Sequence, residues 1–159
     1  MGDPDPSFIA GLPRVRAAAG ALIRDEGGRV LVVHPTYKPG WDIPGGMIEL
    51  DESPRAACVR EIAEELAIVP RLGAMLSVDW VPPRPPWDAG LLFVFDGGVI
   101  TAAEAATIQL PADELDRFAF AETAELDTLL PPILTRRVKA SLHRLNTGAL
   151  YLEDGFPIG

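Results

Sequence analysis

Seven residues separate Glu52, at the end of the run Gly46-Met47-Ile48-Glu49-Leu50-Asp51-Glu52, from the block Arg60-Glu61-Ile62-Ala63-Glu64-Glu65-Leu66-Ala67-Ile68. On a helix, Glu61, Glu64 and Glu65 stand at i, i+3 and i+4, so three carboxylates share one side with no lysine among them. Carboxylates crowded in this way hold their protons more tightly unless a cation neutralises them, and hard oxygen donors suit magnesium or manganese. Ala57, one turn before Glu61, leaves space over the acidic patch, and Gly45-Gly46 lets backbone come close to it. The chemistry this suggests is divalent-metal chemistry on phosphates. Arg60 is expected on the far side of the helix, where its planar fork can tie the loop carboxylate Glu52.

Ser53-Pro54 positions the acidic block. The serine oxygen can accept an orphan backbone N–H and proline has none to lose, so a helix is predicted over Pro54–Leu66. Its apolar stripe is Cys58, Val59, Ile62 and Leu66. Upstream, Val15–Arg24 and Val30–Val33 flank the turn residues Asp25-Glu26-Gly27-Gly28 and read as a β-hairpin. Residues 35–39 read as a loop. Downstream, strands are predicted over 72–81, over Gly90–Phe95 with Asp96-Gly97-Gly98 closing it, and over 107–110 and 115–121. Pro82-Pro83-Arg84-Pro85-Pro86 cannot join a sheet ladder and is a stiff surface loop. Helices are expected over 122–130 and 132–145, the second stopping before Asn146-Thr147-Gly148. Mixed strands flanked by helices fit a layered α/β arrangement.

At 159 residues the chain suits one domain over 14–159, preceded by a Pro- and Asp-rich, flexible N-terminal arm over 1–13. Fourteen Lys and Arg against 23 Asp and Glu leave a net charge of −9, which argues against general nucleic-acid binding. Anionic phosphates remain acceptable substrates, because bound divalent ions reverse the local sign. A lone cysteine, Cys58, excludes an intrachain disulfide and reads as a small buried hydrophobe. With no long apolar run and no basic leader, no membrane association and a cytoplasmic location are expected.

The spacing from Gly46 through Ile68 closely resembles the signature of the Nudix hydrolases (MutT-type), with support from Trp41-x-x-Pro44-Gly45-Gly46. The resemblance implies an α/β/α sandwich with a mixed sheet and a loop-helix-loop catalytic motif. It also implies Mg2+- or Mn2+-dependent cleavage of the pyrophosphate bond in a nucleoside diphosphate linked to another group, by water attack on phosphorus. A nucleoside triphosphate, ADP-ribose or a nucleotide sugar would all serve. Carried over by position, Glu61, Glu64 and Glu65 are metal ligands with the Gly45 carbonyl, and Arg60 and Glu52 support them. The general base is either Glu61 or one of the loop carboxylates Asp113 and Glu114. Gly46, Trp41, Arg24 and Lys38 are candidates for substrate binding; Tyr37, Trp80, Trp87, Arg16 and Arg84 are further aromatic and basic residues without an assigned role. The alternative is a non-catalytic Nudix-fold module that binds a nucleotide and regulates a partner, and a homodimer is kept open. One position departs: Ala67 stands where the family has glycine, so a slightly altered helix end with the ligand set intact is expected.

Overall fold

The structure, a computed structural model, describes residues 2–158. Element order is α1 (Pro6–Ala10), β1 (Arg16–Arg24), β2 (Val30–Pro35), β3 (Gly45–Met47), α2 (Pro54–Leu66), β4 (Met75–Val81), β5 (Gly90–Val99), α3 (Ala102–Ala105), β6 (Leu115–Ala121), α4 (Leu126–Leu129), α5 (Pro132–Leu142), β7 (Leu150–Glu153) and β8 (Phe156–Pro157). The strands make one mixed sheet in the order β6-β2-β1-β5-β4-β7-β8, with β3 paired to β1 off that path. β1 runs parallel to β5, and β2–β6 and β4–β5 are antiparallel.

Both faces of this sheet are covered, which explains why β2 is a continuous apolar run rather than an alternating one. Ala19, Ala21, Ile23, Leu31 and Val33 point to one side and pack on Cys58, Ile62 and Leu66 of α2. Leu22, Val30, Val32 and Val94 point to the other and meet Leu126, Leu134 and Val138 of α4 and α5. The result is the expected α/β/α sandwich. No helix among the described residues is long and apolar enough to cross a membrane.

Several element boundaries differ from the sequence expectation. Residues 107–110 form no strand; the chain there leaves the short helix α3, which is opened by a capping box in which Thr101 and Glu104 exchange side-chain and backbone bonds. β5 runs on through Asp96-Gly97-Gly98, because the Asp96 amide still donates to Ala74. β7 and β8 form a hairpin beyond the last helix, and the three-residue β3 was hidden by its glycines. Val59 is 37% exposed rather than packed, and Ala57 takes its place in the core. Residues 6–10 form one helical turn, α1, that buries nothing.

α2 spans the predicted residues, with the Ser53 hydroxyl accepting from the Ala56 amide and Pro54 in the first turn. It ends at Ala67 in the left-handed conformation, φ 56° and ψ 30°. A β-carbon in that region costs about 1 kcal/mol. Ala67→Gly is therefore expected to raise the urea-unfolding free energy by roughly 1 kcal/mol, with turnover changed severalfold at most. A gain in turnover of a hundredfold would mean that the helix end limits the chemistry.

Candidate active site

β1 is short of neighbours at its Arg16 end, because β2 meets it only at Arg24 and Val30. β3 fills that gap, placing Gly45, Gly46 and Met47 opposite Gly20, Ala19 and Ala18. Two glycines keep this approach open. Gly45 has φ +144°, and a β-carbon on it would lie 2.3 Å from the Ala19 carbonyl oxygen. A β-carbon on Gly46 would lie 2.3 Å from the carboxyl carbon of Glu61. The bare backbone of β3 thus lets α2 bring its carboxylates against the sheet.

Glu65 is 9% exposed and accepts a 2.9 Å hydrogen bond from the Gly45 amide. Burial pushes its carboxyl up to about 8, against the pull of that amide, and nearby Glu61, Asp42 and Glu114 add to the rise. Glu61 is half-buried; burial raises it too, opposed by Arg60 and reinforced by Glu64 and Glu114. Both carboxylates, together with Glu114 from the loop before β6, line a cleft of about 410 Å3 between α2, β1 and α5. Asp113 does not line it; its carbonyl accepts from the Thr36 hydroxyl instead.

Arg60 is not on the far side of α2. Its guanidinium holds both oxygens of Glu52 at 2.8 and 2.9 Å and also reaches Glu61 at 2.9 Å, Glu64 at 3.1 Å and the Met47 carbonyl at 3.1 Å. A long side chain folds back over its own helix, which a projection by residue number does not convey. Hydrogen bonds from Arg60 and the Glu49 amide hold the Glu52 carboxyl down at about 2. Glu64 is exposed and turned toward Arg60, so among the described residues no three carboxylates or imidazoles stand in metal-binding geometry. The oxygen chemistry nevertheless suits a hard cation: Glu61 and Glu65 face one cleft with Glu114 across from them, and burial together with the neighbouring carboxylates raises the proton affinity of Glu65.

Two expected substrate contacts lie elsewhere. Arg24 is at the opposite end of β1 from β3, paired with Asp96 at 2.8 Å. Trp41 packs edge-on against His34 at 5.2 Å with the Arg117 guanidinium 5.5 Å from its ring centroid, serving the core rather than the cleft. Lys38 and Gly46 do line the cleft, and Tyr37 stands at the same cleft. Lys38 is paired there with Asp42.

One cleft residue was not foreseen. Arg137 of α5 is 5% exposed and its Nε donates to the fully buried Asp79 at 2.7 Å. Its signal in the sequence is an arginine on the apolar stripe of Leu134 and Val138, facing an acid at an inward position of β4. Buried charges of this kind persist only when paired.

Residues 14–143 match the NUDIX domain. This chain belongs to the Nudix family. It is 34% identical over 87 residues to an RNA pyrophosphohydrolase of Roseobacter denitrificans, covering 52% of this chain and 54% of that protein. It is also 34% identical over 74 residues to an ADP-ribose pyrophosphatase of Methanocaldococcus jannaschii, covering 44% of each. The matched segments thus span about half the length of these relatives. Among solved structures, a MutT protein from Methanosarcina mazei Go1 superposes with a TM-score of 0.69 at 24% identity, over 86% of this chain and 99% of that one. The Nudix signature helix is α2, and β3 is the strand that leads into it.

Proposed function

We propose that this Nudix chain is a Mg2+- or Mn2+-dependent pyrophosphohydrolase acting on a nucleoside diphosphate linked to another group. The observation that carries the reading is the meeting of Glu61, Glu65 and Glu114 in one cleft beside a backbone cleared by Gly45 and Gly46. Relatives named as an RNA pyrophosphohydrolase and an ADP-ribose pyrophosphatase support the reaction class. Glu61, Glu64 and Glu65 would hold the cation, with the Gly45 carbonyl as a further oxygen. A bound divalent ion supplies charge neutralisation of the non-bridging phosphate oxygens and of the leaving group.

The remaining work falls to the chain itself. Water adds to one phosphorus, the bridging P–O bond breaks, and the water proton passes to a carboxylate. We assign that role to Glu114: it stands in the same cleft as Glu61 and Glu65, close enough to raise their proton affinity, and it comes from a loop separate from the signature helix. Arg60, bonded to Glu52, Glu61 and Glu64 together, keeps the helix carboxylates ordered before any cation arrives. Lys38 lines the same cleft and can meet a phosphate oxygen there. The buried thiol of Cys58, pushed up to about 12 by its surroundings, is inert and consistent with a cytoplasmic protein.

Hydrolysis of nucleoside triphosphates, ADP-ribose, nucleotide sugars and dinucleoside polyphosphates, with Mg2+ or Mn2+ and with chelator, tests the proposal. Metal-dependent release of a phosphorylated product from at least one class is expected. Silence across the panel alongside measurable nucleotide binding would instead identify a binding module.

A further inference from the structure

The groove continues past the carboxylates. The cleft of about 410 Å3 leads into a second cavity of about 320 Å3, and Lys38, Leu134 and Arg137 stand in the walls of both. The charge along this groove is reversed from end to end. At the inner end Glu61, Glu65 and Glu114 face the space. Around the outer cavity Arg16, Lys38, Arg84 and Arg137 face a single acid, Asp42, in a chain that carries 23 acidic against 14 basic residues. An acidic end calls for a cation-borne phosphate; a basic end calls for a phosphate that needs no cation.

The outer cavity is built from tied parts. Arg137 is 5% exposed, its Nε is fixed by Asp79, and among the described residues its terminal nitrogens take no protein partner. Arg16 donates through Nε to the Asp88 carbonyl and has no carboxylate partner among the described residues. Its guanidinium lies 5.0 Å from the ring centroid of Trp87, which is 60% exposed. Trp87 and Arg84 exchange backbone hydrogen bonds of 2.8 and 3.0 Å, and Arg84 is anchored on Asp154 at 2.8 Å. An exposed indole on a tied turn, flanked by guanidinium forks, offers a stacking face and donors for phosphate oxygens together.

We propose that the outer cavity binds a second, phosphate-bearing nucleoside unit of the substrate, with its base on Trp87 and its phosphate on Arg16 and Arg137. The inference rests on the pyrophosphohydrolase reading and narrows it to substrates that extend beyond one nucleoside. Two sources supply that chemistry: the far half of a dinucleoside polyphosphate, or the first phosphodiester and second nucleoside of a 5′-triphosphorylated oligonucleotide.

The test compares kcat/KM for ATP, diadenosine tetraphosphate and the triphosphorylated dinucleotide pppApG, in Mg2+, for the wild type, Arg16→Gln and Trp87→Ala. At least one extended substrate is expected to exceed ATP tenfold or more in wild-type kcat/KM, and which one does so identifies the source. Each variant is expected to cut the ratio of extended substrate to ATP by tenfold or more, chiefly through KM. A ratio that neither variant changes overturns the proposal. A second readout needs no catalysis: pApG added to the metal-free protein in chelator is expected to quench tryptophan fluorescence in a salt-dependent way, and Trp87→Ala to abolish the quench. Absence of quenching in the wild type counts against the site. Quenching without hydrolysis of any substrate supports the site and tells against the hydrolase reading.

Discussion

Glu65→Gln is expected to lower kcat on the order of a thousandfold while the protein stays folded. The amide retains an oxygen to accept the Gly45 N–H, so the tie between α2 and β3 at 2.9 Å survives. On the proposed reading what is lost is a ligand charge, and several kcal/mol of charge stabilisation in the transition state corresponds to a factor of that size. The same change alters the pH dependence of stability in the metal-free protein. Glu65 is raised in the fold from an ordinary 4.5 to about 8, so the folded state binds a proton that the unfolded chain has released. Its contribution is complete below pH 4.5 and is lost as pH rises through 8. In chelator, the wild-type melting temperature should therefore fall between pH 5 and pH 9, and Glu65→Gln should remove that part of the fall. Wild-type turnover in the variant would reject Glu65 as a ligand.

Adjacent glycines should fail in opposite ways. In Gly46→Ala the atoms nearest the new methyl are the far end of Glu61, at 2.3 to 2.5 Å, and a flexible side chain can swing aside. Activity should collapse by a hundredfold or more, with unfolding free energy changed by about 1 kcal/mol or less. In Gly45→Ala the methyl meets backbone, the Ala19 oxygen at 2.3 Å and the Gly20 α-carbon at 2.4 Å, on a residue at φ +144°. Neither can move without breaking the pairing of β3 with β1, so destabilisation of about 3 kcal/mol or more is expected. Chemical denaturation beside a turnover assay separates the two; equal stability loss in both would show that the Glu61 carboxylate is fixed.

Local chemistry made much of this protein legible from sequence. Ser53-Pro54 opens α2 and the residues after it carry the acidic face, because caps and periodicity are written in neighbouring residues. The β1–β2 hairpin was read from its turn residues in the same way. Other features depend on where distant segments meet. Gly45-Gly46-Met47 has no strand propensity and becomes β3 only because β1 leaves an open edge. Arg137 and Asp79 are ordinary charges until α5 lies on β4. Trp41 was a plausible stacking residue until the fold laid it on His34, and Arg24 a plausible phosphate ligand until Asp96 was seen beside it. The Asp154-Gly155 turn, by contrast, was a readable hairpin signal between β7 and β8.

The parallel pairing of β1 with β5 bears on the order of assembly. Arg16 and Arg24 of β1 bond to Asp88 and Asp96, each 72 residues away along the chain. Closing so long a loop is slow relative to making a hairpin or a helix. β3 is held at β1 by only three opposed pairs, from Ala18 to Gly20, so its glycines have no seat until β1 is itself seated beside β5. The proposed site is thus a late product of folding rather than an early nucleus. On refolding from denaturant, recovery of turnover should coincide with the slowest fluorescence phase and not run ahead of it.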